Sequence, residues 1–337
     1  MKKIGIVGCG IRGLLFARAL RSVPGVMVAG MSDSSAKARE AAGHECEGEV
    51  VANHEQLFSL GLDAAIIATP DFAHREAAVA AASAGLTLMV EKPLATTVED
   101  ARAIYDAVEA AKVQCLVAFE NRWNPSCLKI ERLLSQGALG KVISITGVLS
   151  NSYYVPLHML SWASSSSPSW FLMPHIVDLA LWYGGAGPVS VCAKGVRGEL
   201  EARGVDTWDT VHALVGMGNG ALANLQSSWV LPDSRPGIVD FRFEVVGSKG
   251  AAAIDGNSQG LQMAVDKWSL PSLLPAEVEG EEEGMAAWMV RSFARRLVNG
   301  EPLAPGAGHG LLVTQVIDAV HRSLSSGREV LLPDGSR

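Results

Sequence analysis

Basic charge is in short supply. Lys and Arg total 28 against 35 Asp and Glu, a net charge of -7, so the cationic excess expected of a nucleic-acid binder is missing. Long hydrophobic runs are missing too: no apolar stretch reaches the length needed to span a bilayer. The opening "MKKIGIVG" runs directly into a strand and a glycine turn, which leaves no room for the apolar core of a secretory signal. Cysteine is scarce and odd in number. Cys9, Cys46, Cys115, Cys127 and Cys192 form no CxxC pair and no metal-like spacing, so neither a disulfide framework nor a metal site is expected, and a reducing cytoplasm fits best. There is no internal repeat, and the serine run from Ser164 to Ser167 before Pro168 is the one low-complexity patch. These absences leave a small molecule as the expected partner, with neither nucleic acid nor membrane.

What is present is a chain of 337 residues with 48% hydrophobic and 19% charged residues, more than one hydrophobic core usually supports. Two domains are expected, over 1–121 and 122–337. In the first, apolar strands alternate with helical patterns: Ile4 to Val7, Leu14 to Arg21, Val26 to Met31, Ala64 to Ala68, His74 to Ala84 and Leu86 to Val90. This βαβ rhythm implies a doubly wound parallel sheet with helices on both faces. Thr96 to Asp100 supplies a capping box for a helix running to about Lys112, and Val113 to Ala118 reads as a further buried strand. The second domain carries antiparallel signals. Strands Trp208 to Met217 and Ala221 to Val230 flank a Gly218-Asn219-Gly220 turn, and Val239 to Val245 alternates with period two. Strands from Gly140 to Ser150 and Val189 to Val196, with helices near Pro125 to Ser135, Pro174 to Tyr183 and Met285 to Leu297, complete an α+β domain with an open, mainly antiparallel sheet. The acidic run Glu277 to Glu283 precedes a helix ending in Arg291, Arg295 and Arg296, a polarity that suits the helix dipole and marks a solvated structural feature.

Gly8-Cys9-Gly10-Ile11-Arg12-Gly13 matches GxGxxG immediately after the first strand and at the opening of a helix. There the glycines permit a tight turn and close backbone approach, and the helix N-terminus offers amides to a pyrophosphate. A plain strand-to-helix turn would call for positive φ at Gly8 and Gly10 and leave the third glycine unexplained. Asp33 ends the second strand about twenty residues past Gly13, where an acid can accept ribose hydroxyls and repel a 2′-phosphate. NAD is therefore the expected cofactor, with NADP left open by the flanking Ser32, Ser34 and Ser35. Capping of the next helix is the plainer role for Asp33. Thr69 and Pro70 end the next strand and belong beside the cofactor. His74 follows, with a helix-start histidine facing solvent or its own backbone as the plainer alternative. Glu91-Lys92-Pro93 emerges one strand further on, placing an amine where it can reach nicotinamide and substrate together.

The ordered set GxGxxG, "ATPDFAH", "EKPLA", Asn121-Arg122-Trp123-Asn124-Pro125 and Gly137-Ala138-Leu139-Gly140-Lys141-Val142 resembles the Gfo/Idh/MocA family, named for glucose-fructose oxidoreductase, inositol dehydrogenase and MocA. The resemblance implies NAD(P)-dependent hydride transfer on sugars, polyols and related compounds, and a sheet face that makes a homodimer or homotetramer. It places Asn121 with the cofactor residues and Arg122 with the substrate. In "SWFLMPHIVDLALWYGG", Pro174 suits a first helical turn, so His175 sits near a positive helix end that favours neutral imidazole. With the family's HxxD segment behind it, His175 is the expected base for the carbinol proton, Lys92 orients the hydroxyl or relays that proton, and Asp178 lies three residues on. The family often carries aspartate four residues before this histidine. Here Phe171 stands in its place. Phe171, Trp162 and Tyr153 are candidates for an apolar wall against a sugar ring, with core packing the equal alternative. Redox-assisted glycoside cleavage and a non-catalytic cofactor-binding regulator are the competing functions, and biliverdin reductase-like chemistry a weaker one.

Overall fold

The structure, a computed structural model, describes residues 1–257, 263–264, 268–269 and 276–332. Its first elements are β1 (Lys2–Val7), α1 (Ile11–Leu20), β2 (Val26–Ser32), α2 (Ala36–Gly43), β3 (Glu49–Val51), α3 (His54–Phe58), β4 (Ala64–Ile67), α4 (Arg75–Ser83), β5 (Thr87–Val90), α5 (Val98–Ala111) and β6 (Cys115–Val117). The strands form one sheet in the order β3-β2-β1-β4-β5-β6, and every pair is parallel. Burial on both faces explains why β4 and β6 are apolar throughout rather than alternating. The strand order steps outward from β1 in both directions, so the carboxyl ends of β1 and β4 mark the switch point where such sheets bind ligands. Short polar caps start the helices: Ser35 for α2, Asn53 for α3, and Thr97, whose Oγ1 accepts the Asp100 N–H at 3.0 Å, for α5. α1 and α4 have no side-chain cap, α1 opening on Gly10 and α4 on His74.

The next part of the chain contains α6 (Pro125–Ser135), β7 (Val142–Ser152), α7 (Pro168–Phe171), α8 (Met173–Gly184), β8 (Pro188–Val196), β9 (Thr210–Met217), β10 (Leu222–Leu231), β11 (Val239–Gly247), β12 (Ala251–Asp255) and two short strands, β13 (Met263–Ala264) and β14 (Trp268–Ser269). The chain then makes a hairpin of β15 (Ala276–Val278) and β16 (Glu281–Glu283), followed by α9 (Met285–Asn299), α10 (Ala307–Ser326) and β17 (Val330–Leu331). The second sheet runs β12-β11-β7-β10-β9-β8-β17. It is antiparallel except where β7 pairs with β10. α8 packs on β7 and β10, and α7 on β10.

Two compact units result: Met1–Trp123 with the described residues of Leu274–Thr314, and the described residues of Asn124–Leu273 and Gln315–Arg337. A division into 1–121 and 122–337 therefore needs correction, because residues 276–314 belong to the first unit. The cause is α9, whose Met289, Val290, Phe293 and Ala294 share one buried cluster with Phe16, Ala19 and Leu20 of α1. Amphipathic periodicity identifies the helix but not the core that it faces. The acidic run lies at the surface and its end is ion-paired: Glu281 and Glu283 pair with Arg291 at 3.1 and 2.8 Å, and Glu282 pairs with Arg18.

Candidate active site

The glycines of the first turn divide by function. Gly8 adopts φ +104°, and a Cβ there would lie 2.5 Å from the Ala68 carbonyl oxygen. A Cβ on Gly13 would lie 1.9 Å from the Gly8 oxygen. The fold itself demands both. Gly10 has φ -79° and nothing within 4 Å of a built Cβ, so neither conformation nor packing requires glycine there. The positive φ that a plain strand-to-helix turn would call for at Gly10 is not found. The empty volume borders an uncapped helix start, with Ile11 exposed beside it, and is the space a pyrophosphate needs. The chain therefore fits a dinucleotide.

Asp33 stands across this turn. Its Oδ2 accepts the Cys9 N–H at 2.9 Å and its Oδ1 the Ser35 N–H at 2.8 Å, which leaves each oxygen a lone pair for a ribose hydroxyl. The capping of α2 falls to Ser35. Arg39 is turned back onto the same loop, donating to the Asp33 and Ser34 carbonyls at 2.7 and 3.0 Å. Thr69 and Pro70 follow β4 and are partly exposed at the sheet's carboxyl edge. His74, expected beside them, is turned inward. It is 1% exposed, and its ring nitrogens meet the backbone carbonyls of Thr69, Pro93 and Leu94.

Glu91, Lys92 and Pro93 leave β5 on the same edge, with the Lys92–Pro93 peptide cis. Arg12 reaches from α1 to bind Glu91 Oε1 through Nε at 2.6 Å and Glu120 Oε2 through Nη2 at 2.9 Å. Burial works against the Arg12 charge, yet Glu120 and Glu91 together raise its pKa above the usual guanidinium range. The pKa of Lys92 is lowered, chiefly by burial and secondarily by Arg12, while Glu91, Glu120 and Asp71 pull it back upward. The result is an amine within a balanced cluster of charges, with a proton less tightly held than on a surface lysine. Asn121 is buried, and Arg122 Nη2 lies 3.1 Å from His309 Nε2, so Arg122 is engaged within the first unit.

In the second unit α8 begins at Met173, and His175 lies in its first turn, 8% exposed. Phe171 ends α7 and forms a ring cluster with Trp162 at 5.9 Å and Trp229 at 5.8 Å. Tyr153 is not part of that wall. The Arg203 guanidinium sits 4.5 Å above its ring instead. Asp178 is wholly buried in α8, and its charge adds to the burial that pushes the Cys127 thiol up to about 12. A place on an open substrate surface does not suit it. The periodicity of β7 and β10 hid other residues. Asn151 Oδ1, Ser227 Oγ and Trp229 Nε1 are buried without a hydrogen-bond partner among the described residues. Ser227 pairs with Leu149 in register, so these two side chains share one face, and the ladder becomes irregular just beyond, between Ser228 and Leu231. Ser227 in "LANLQSSWVL", a polar residue at an inward position, was the available signal.

A doubly wound parallel sheet with an open, glycine-lined turn on its carboxyl edge is the architecture of a dinucleotide-binding protein. Residues 2–119 match the oxidoreductase family with an NAD-binding Rossmann fold, and residues 127–253 match the GFO/IDH/MocA C-terminal domain. The chain belongs to the Gfo/Idh/MocA family, and its cofactor is NAD. Inositol 2-dehydrogenase 2 of Saccharopolyspora erythraea is 29% identical over 85% of this chain and 88% of its own. Inositol 2-dehydrogenase of Rhizobium meliloti is 25% identical over 97% of this chain and 98% of its own. Among solved structures, scyllo-inositol dehydrogenase of Lactobacillus casei, with bound NAD(H) and scyllo-inositol, superposes with a TM-score of 0.82 at 18% identity, covering 98% of this chain and 99% of that one.

Proposed function

We propose that this enzyme moves hydride between NAD and a secondary carbinol or carbonyl of a polyol or sugar, with Lys92 and His175 handling the proton. The observation that carries the reading is the placement of Lys92, an amine of lowered pKa, on the sheet edge that also presents Gly10, Asp33 and Thr69. When bound, the nicotinamide supplies the hydride acceptor. The protein's part is to hold the carbinol and take its proton as the hydride leaves. Neutral imidazole at the start of α8 suits the base role of His175, and Lys92 orients the hydroxyl or relays its proton. The names of the inositol-dehydrogenase relatives favour a polyhydroxylated ring, as do the unpaired polar atoms of Asn151, Ser227 and Trp229 beside the aromatic cluster. The test is the absorbance of reduced cofactor across inositols, other polyols, monosaccharides, sugar acids and glycosides, with NAD and NADP. Turnover with NAD on a polyol is expected; tight NAD binding with no turnover on any compound would sink the proposal. Lys92→Ala and His175→Ala should each lower kcat at least about a hundredfold and leave NAD affinity nearly unchanged, and near-normal kcat in both would remove the role assignment.

Assembly into a homodimer or homotetramer belongs to the same reading. On the open face of the second sheet, Cys192, Leu214, Asn224, Thr146 and Glu244 lie in one exposed row across five strands, with Leu222 exposed two residues from Asn224. Such a broad exposed face suits a second copy of the chain. Light scattering should give two or four times the 35.5 kDa chain mass, and a monomer at micromolar concentration would contradict it.

A further inference from the structure

The ring of His74 is enclosed by acceptors. Nδ1 lies 2.9 Å from the Pro93 carbonyl oxygen and 3.3 Å from that of Leu94, while Nε2 lies 3.1 Å from the Thr69 carbonyl oxygen. None of these partners can donate. A neutral imidazole has one N–H and one lone pair, so either tautomer would aim a buried lone pair at a carbonyl lone pair. That loses a hydrogen bond and leaves buried polar atoms unsatisfied. The imidazolium donates at both ends, and charge-assisted bonds to three carbonyl dipoles offset the cost of burying it. Asp71, itself buried on the turn immediately before, adds a negative group to the same loop.

We propose that His74 is a positioning residue for Lys92, acting as a doubly protonated strap between the loop after β4 and the loop after β5. The proposal rests on the proton-handling role given to Lys92. On one side of Lys92 the backbone is fixed by the sheet, since the Glu91 N–H donates to the Ile67 carbonyl at 2.9 Å. On the other side, Pro93 and Leu94 have left the ladder, and His74 binds both of their carbonyls. Its opposite edge holds Thr69, beside the cofactor space. One ring thus ties the segment that carries the amine to the segment that borders the cofactor, and the Lys92 backbone is held from both directions.

The experiment combines histidine-selective 15N NMR of the unmodified protein at neutral pH with kinetics of His74→Phe and His74→Gln, the latter also assigning the His74 signals by their loss. Two N–H-type nitrogen resonances are expected from His74. A resonance in the range of an unprotonated imidazole nitrogen overturns the strap, and this reading requires no variant to fold. In His74→Phe, kcat should fall about tenfold or more, the scale of a misplaced reacting group, with NAD Kd and substrate KM within about twofold. Wild-type kcat in a folded His74→Phe protein also overturns it. Lys92→Ala measured alongside separates the two ideas: retained turnover there removes the role of Lys92 itself, whereas lost turnover there with full kcat in His74→Phe removes the strap alone.

Discussion

Lys92 works among charges that cannot be varied one at a time without consequence. Arg12 neutralises Glu91 and Glu120, both of which raise the pKa of Lys92. Relaying a carbinol proton requires the amine to be neutral, so the rate of alcohol oxidation rises with pH through that pKa. Arg12→Leu removes a cation and leaves two carboxylates uncompensated, so Lys92 should hold its proton more tightly. The rising limb of kcat against pH, measured at saturating NAD, should move to higher pH. An unmoved limb would show that the amine does not feel this cluster. The positions of Gly8, Gly13 and Lys92 were legible because each is written within a few residues: a glycine turn after a strand, a charge after another. The clamp on Glu91 was not legible, since Arg12 lies 79 residues away in sequence. His74 could be seen but not understood, because nothing local tells that its ring faces the carbonyls of a loop about twenty residues on.

At the scale of elements, the turn between β1 and α1 separates what the fold needs from what the ligand needs. Gly13→Ala forces a methyl to within 1.9 Å of the Gly8 oxygen, backbone that is itself pinned at φ +104°. Overpacking of this kind costs about 1–3 kcal/mol or more, so Tm should fall without any cofactor present. Gly10→Ala meets nothing within 4 Å at an ordinary φ. Its stability should change by less than about 1 kcal/mol, while NAD affinity drops as the methyl enters the pyrophosphate space. Calorimetry of the apo proteins beside NAD titration checks both, and equal effects of the two substitutions would erase the distinction. Element types were largely readable, from the βαβ rhythm and from the Gly218-Asn219-Gly220 turn between β9 and β10. Partnerships were harder. The parallel pairing of β7 with β10 and the return of α9 to the first unit depend on long-range packing, to which a local apolar stripe is indifferent.

For the whole molecule, acid stability should be limited by a histidine far from the proposed chemistry in sequence. His321 on α10 stacks on Trp170 with ring centroids 5.2 Å apart, and its Nε2 lies 2.9 Å from Ser169 Oγ on α7. Burial pushes its pKa down to about 4 from 6.5. The folded chain thus favours neutral imidazole more than the unfolded chain does. That stabilisation is complete above pH 6.5 and is lost as the pH falls from 6.5 through about 4, where the loss reaches on the order of 3 kcal/mol. At pH 5 most of it, roughly 2 kcal/mol, should already be gone. His321→Gln keeps a polar group for Ser169 but cannot take up the proton, so its urea midpoint should change far less between pH 7 and pH 5 than that of the unmodified protein. Excess NAD stabilises the first unit by mass action, and His321 belongs to the second. The acid-sensitive loss should therefore persist at saturating NAD. Its disappearance on adding NAD, or an equal pH dependence in His321→Gln, would place the acid-labile group elsewhere.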